Sequence, residues 1–197
     1  MKTKQLWGML LVLALGFLPK LQAQSSGTAG VMFGLSNSSI DVQDRFLGID
    51  NSIIGSNLLG YSVGSYGQVN SGPVFFRPGL EYQFNAGTIS SWGWADDFRL
   101  HKLELPLVVG VRIAGPFSIE GGPTWDYVLS ATRDYGDTEV NLAKMGLGYR
   151  VGAGLQFDRI FFNLNLHGTA YYRTESSGRA AFTEPFKVSA GMGVHLD

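Results

Sequence analysis

The sequence contains no cysteine. That excludes a disulfide framework for a small exported fold, and it excludes a lipid-modified cysteine behind a leader. Charge of one sign is equally scarce in excess, with 15 Lys and Arg against 16 Asp and Glu for a net charge of -1. A chain so balanced offers no electrostatic footprint for nucleic acid. Beyond residue 24 no apolar run reaches the ~20 residues of a transmembrane helix. If the chain crosses a membrane, strands must carry it.

The amino terminus does hold one short apolar run. In "MKTKQLWGMLLVLALGFLPKLQAQ", Lys2 and Lys4 precede apolar residues from Leu6 to Leu18, and Ala23 closes a short polar stretch. This predicts a signal peptide over residues 1–23 and an exported domain over 24–197.

Period-two alternation fills the remainder, and helical periodicity is hard to find. In "LHKLELPLVVGVRI", Leu103, Leu105, Leu107, Val109, Val111 and Ile113 oppose Lys102, Glu104, Val108, Gly110 and Arg112. "KMGLGYRVGAGLQF" opposes Met145, Leu147, Tyr149 and Val151 to Lys144, Gly146, Gly148 and Arg150. Segments around Gly72, Phe117, Ile160 and Pro185 alternate in the same way, and "LLGYSVGSYGQV" and "GTAGVMFGL" are weaker, glycine-rich examples. The total is about eight strands near the ~10-residue length of a tilted membrane crossing.

Connections carry an independent signal. Tight turns at "AGP" (114–116) and "DR" (158–159) alternate with long polar segments such as Asn85–Phe98 and Thr132–Asn141, and Ser36–Asn57 is the longest. Short periplasmic turns and long extracellular loops are the asymmetry of an outer-membrane barrel.

Alternation alone does not say which face is outside, since a soluble lipid-binding barrel turns its apolar face inward. Arg77, Glu81, Lys102, Glu104, Arg112, Glu120, Asp126, Lys144, Arg150 and Lys187 all share the polar face. An arginine or lysine on the lipid face at mid-bilayer costs ~2–4 kcal/mol, so three would consume most of a ~5–15 kcal/mol stability. In a membrane barrel these residues must therefore face the lumen, as a structural network of opposite charges. About eight strands enclose just enough space for side chains, so the expectation is a plugged interior with glycines making room for the long charged ones. Aromatic residues near both strand ends, Phe98 and Phe161 among them, are expected to form interfacial girdles. Pro78, Pro106 and Pro123 fall within strands and are expected to mark bulges.

At "LHKLELPLVVGVRI", "IEGGPTWDYVLSA" and "GLGYRVGAGLQF" the chain resembles the PorT-type outer-membrane barrels of Bacteroidota. Leu-x-Leu-Pro-Leu, Gly-Gly-Pro before an aromatic strand, and a Gly-x-Gly-x-Gly strand carry the resemblance. It implies an all-β, eight-stranded, antiparallel, up-and-down transmembrane barrel. It also implies, more loosely, a link to protein secretion or to other envelope proteins. The final "GVHLD" departs from the terminal aromatic usual in such barrels.

Chemistry is poorly signalled. His101, His167 and His195 form no metal-ligand spacing, and "GLGYRVGAG" sits inside a strand rather than before a helix, so no cofactor or metal is expected. A barrel enzyme using His167 with Asp126 or Glu120 and a serine, a small solute channel, and a soluble carrier are the competing functions. The expected role is non-enzymatic, in contact with outer-membrane lipid and envelope proteins. The segment "IDVQDRFLGIDNSIIGSNLLG" is unusually apolar for a surface loop, and Phe46, Leu47, Ile49, Ile53 and Ile54 mark an interaction loop unless the flanking strands simply extend.

Overall fold

The computed structural model describes residues 27–46, 49–91, 94–133, 138–139, 144–171 and 181–196. Backbone alone is described at 41–46, 49–56, 89–91, 94–96, 133, 138–139, 171 and 181–183. The expected leader, residues 1–23, lies outside the described residues.

Alternation becomes strand after strand: β1 (Gly27–Phe46), β2 (Ile49–Ser71), β3 (Val74–Ser91), β4 (Trp94–Ala114), β5 (Phe117–Arg133), β6 (Thr138–Glu139), β7 (Met145–Phe157), β8 (Ile160–Tyr171) and β9 (Ala181–Leu196). The long strands pair antiparallel with their chain neighbours, β5 meeting β7 directly, while β6 is a two-residue strand against the end of β5. Pairing of β1 with β9, from Ala29 opposite Leu196 to Gln43 opposite Ala181, closes the sheet into an eight-stranded up-and-down barrel. Closure satisfies both backbone edges of every barrel strand, which hydrocarbon demands.

Three two-residue turns lie at one end: Gly72–Pro73, Gly115–Pro116 and Asp158–Arg159. Each has positive φ at its first residue, 59° at Gly72, 53° at Gly115 and 44° at Asp158. That is the backbone a tight hairpin needs, and glycine or aspartate tolerates it. The other end differs from the sequence expectation. Most of Ser36–Asn57 and Asn85–Phe98 is strand, with Phe46 opposite Ile49 and Ser91 opposite Trp94. The first two hairpins thus extend upward as ladder, raising a wall of β1 to β4 on one side of the barrel mouth.

The prolines do not create bulges. Pro78 pairs with Leu107, Pro106 with Thr124 and Pro123 with Tyr149, all in unbroken register with their ladders. Proline removes one donor without adding a residue, so a bond is lost and the register stays. Register shifts occur elsewhere, between Ser38 and Ile40, Gly55 and Leu59, His101 and Lys102, Arg112 and Ala114, and His167 and Thr169.

Burial follows strand parity. In β7, Met145, Leu147, Tyr149 and Val151 are exposed while Gly146, Arg150 and Gly154 are buried. Around the barrel, Leu35, Leu59, Leu105, Ile119, Leu164 and Leu196 lie on the exposed face. The interior holds Arg77, Glu81, Lys102, Glu104, Glu120 and Asp126, each at most 5% exposed. An apolar outside around a charged inside is the arrangement of a barrel whose solvent is lipid.

Candidate functional site

The charged part of the interior is stacked in three layers. Nearest the turns, Arg77 reaches inward from β3 between two rings, its guanidinium carbon 4.1 Å from the centroid of Phe161 and 4.7 Å from that of Phe75. Tyr66 meets Phe161 edge to face at 5.2 Å. These rings need bare backbone beside them: a Cβ at Gly110 would overlap Phe75, one at Gly193 would overlap Phe161, and one at Gly30 would overlap Tyr66. Arg77 Nη1 donates to Glu120 Oε2 at 2.9 Å and its Nε to Gln68 Oε1 at 2.8 Å. A chain of polar groups continues from Gln68 through Asn70, Arg112, Gln156 and His195 to Tyr66.

The middle layer centres on Glu104. Its Oε1 accepts from Arg150 Nη2 at 2.5 Å and its Oε2 from Lys187 Nζ at 2.9 Å. Arg150 also donates to Glu81 Oε1 at 2.7 Å, and Lys187 to Gln83 Oε1 at 2.7 Å. Four strands are thereby joined across the barrel, β3, β4, β7 and β9. Two flanking glycines of Arg150 serve other polar groups: a Cβ at Gly152 would overlap Asn165 Oδ1, and one at Gly148 would crowd Thr124 and Thr169.

Higher still, Lys102 Nζ donates to Asp126 Oδ2 at 3.1 Å and to Glu184 Oε2. Above this pair Ile40, Leu58, Phe98, Leu100, Val128 and Ala131 turn inward, none more than 4% exposed. Charge below and hydrocarbon above together fill the passage.

Of the ten residues expected in the network, the structure brings nine to the interior. Arg112 meets the amides Asn70 (2.8 Å) and Gln156 (3.3 Å) rather than a carboxylate. Lys144 stays out: β7 starts at Met145, and Lys144 precedes it with an exposed side chain while its carbonyl accepts from Val128 N. Alternation holds only within a strand, so parity counted past its end misplaced this lysine. Phe98 and Phe161, expected at the interfaces, are buried inside instead. Glu184 is the member the sequence missed. Counting back from inward-facing Lys187 in steps of two gives Pro185, yet Glu184 is the one buried, because the β8–β9 register shifts between His167 and Thr169. For the expected interaction segment, Phe46, Ile49, Ile53 and Ile54 are described in backbone only, as hairpin ladder, and Leu47 lies outside the described residues.

His167 Nε2 lies 2.7 Å from Ser189 Oγ, and His167 Nδ1 lies 3.6 Å from Glu104 Oε1. The order serine, histidine, carboxylate is that of a nucleophile relay, but Glu104 is neither Asp126 nor Glu120, the partners expected for His167. Its Oε1 already accepts from Arg150, and 3.6 Å is too long for a hydrogen bond to orient the ring. The cavity beside Ser189 measures about 20 Å³, room for one water rather than a substrate. Among the described residues no cluster of three or more metal-ligating side chains occurs.

No family model matches the chain, and no curated protein matches it in sequence. Solved structures do. Neisserial surface protein A is similar with a TM-score of 0.56 at 12% identity, the match covering 87% of this chain and all (100%) of that one. The outer membrane protein OprG from Pseudomonas aeruginosa is similar with a TM-score of 0.51 at 9% identity, over 86% of this chain and 95% of that one. The shared fold is the eight-stranded outer-membrane barrel. With an apolar belt outside and ion pairs inside, the chain is a barrel of the outer membrane, in contact with its lipid.

Proposed function

We propose that the chain is a non-enzymatic, sealed barrel, exported by its 1–23 leader, that holds its long hairpins at the cell surface for contact with other envelope proteins. The carrying observation is the filled interior: ion pairs from Arg77 to Lys102 lie beneath an apolar layer of Leu58, Phe98 and Leu100. A channel needs a wet path and an enzyme needs a pocket that admits substrate, and this packing argues against both. The PorT-type motifs favour an association with secretion or the envelope over a solitary structural role. The wall of β1 to β4 above the mouth supplies the surface.

Two measurements test this reading. In planar bilayers the purified protein is expected to pass no ions; stable open-channel steps would overturn the sealed barrel. Replacing residues 42–53 by a two-residue turn is expected to leave the heat-modifiable folded band in place while abolishing the cross-linking of envelope proteins seen with the intact chain. Unchanged cross-linking in that folded variant would refute the interaction role.

A further inference from the structure

Two hydrogen-bonded clusters approach each other inside the barrel without a bond between them among the described residues. One is the centre, Arg150 with Glu81, Glu104 and Lys187. The other lies towards the turns, where Glu120 accepts from Arg77 at 2.9 Å and from Asn163 Nδ2 at 3.4 Å. The cavity of about 20 Å³ is lined by members of both: Glu81 and Arg150 from the first, Asn163 from the second, with Asn165, Ser62 and Ser189 between. Two polar atoms on its lining residues lack any protein partner, Arg150 Nε and Asn165 Oδ1, and those residues are 5% and 2% exposed.

A buried guanidinium N–H and a buried amide oxygen left unbonded each carry an uncompensated desolvation cost. Gly152 makes room for Asn165 Oδ1, and a Cβ at Gly34 would fall 2.7 Å from Ser62 Oγ, so both glycines leave space beside the cavity lining. A cavity of this size accepts one water and no larger ligand, and water needs two to four polar partners, which this lining offers.

We infer that the cavity is a binding site for one ordered water, which accepts from Arg150 Nε and donates to Asn165 Oδ1, and so satisfies both buried atoms. The inference rests on the packed interior rather than on the proposed interaction role, and the two fail separately.

The test is proton NMR on the folded protein in deuterated detergent with 15N-arginine, the Arg150 Nε–H signal being identified by its loss in Arg150→Lys. A cross-peak from that proton to water, of the sign given by a long-lived bound molecule, is expected in the wild type. It is expected to persist in Ser62→Ala, which spares the space, and to disappear in Ser62→Val, which adds methyl groups to the lining. No such cross-peak in the folded wild type overturns the site. So does a cross-peak that survives unchanged in folded Ser62→Val.

Discussion

Arg150 Nη2 on β7 lies 2.5 Å from Glu104 Oε1 on β4, a charge-assisted bond that reaches past β5, the strand between them. Both side chains are at most 5% exposed, so neither charge can turn to water if the other is removed. Arg150→Ala leaves Glu104 and Glu81 facing each other with one partner fewer, and the expected loss is ~3–5 kcal/mol of unfolding free energy. Urea titration in lipid vesicles measures it. Adding Glu104→Gln to Arg150→Ala is expected to restore part of the loss; a strictly additive double variant would mean the pair is not coupled.

Lys102 and Lys144 provide a contrast within one residue type. Lys102 is fully buried between Asp126 and Glu184, whereas Lys144 is exposed ahead of β7. Lys102→Ala is expected to cost ~3–5 kcal/mol, and Lys144→Ala to stay within ~0.5 kcal/mol. Equal costs in the same vesicle assay would contradict the assignment of one to the interior and the other to the surface.

That contrast also shows what alternation in a sequence carries. The inward set of β4, β5 and β7 was readable because these strands keep parity over their central residues, where Lys102, Glu104, Asp126 and Arg150 lie. Parity is blind to where a strand begins, hence Lys144, and to a register shift in the neighbouring ladder, hence Glu184. It is equally blind to height. Phe98 and Phe161 sit near strand ends where girdle aromatics belong, yet their parity is inward, and bare backbone at Gly193 makes room for the Phe161 ring. For the first hairpin the sequence leaves loop and extended strands both open: "DRFLGIDN" has the polar and glycine content of a loop, while its backbone continues the ladder to Phe46 and Ile49.

Gly110 lies under the Phe75 ring, and a methyl group there would overlap it. Gly110→Ala is expected to destabilise the barrel by ~1–3 kcal/mol through overpacking. In a Phe75→Ala background the same change is expected to cost little, since the obstructing ring is gone. If the two losses simply add, the ring and the glycine do not share that space.

Val151 marks the middle of β7 on the outer face, 47% exposed. Val151→Lys is expected to cost ~2–4 kcal/mol in vesicles, as for a charge at the bilayer midplane. A change below ~0.5 kcal/mol, the scale of an ordinary surface substitution, would show that this face does not meet lipid.

The seam between β1 and β9 sets Ala29 opposite Leu196, so the two ends of the strand order are neighbours in space. Seven hairpin or neighbour pairings can form from chain-adjacent strands, but this one joins the most distant. Until it forms, β1 and β9 each present a row of unbonded amides and carbonyls, at several kcal/mol per group in hydrocarbon. A half-inserted sheet therefore has no resting place in the bilayer. Insertion and closure are coupled, because the backbone groups of the β1–β9 seam are satisfied only when both are complete.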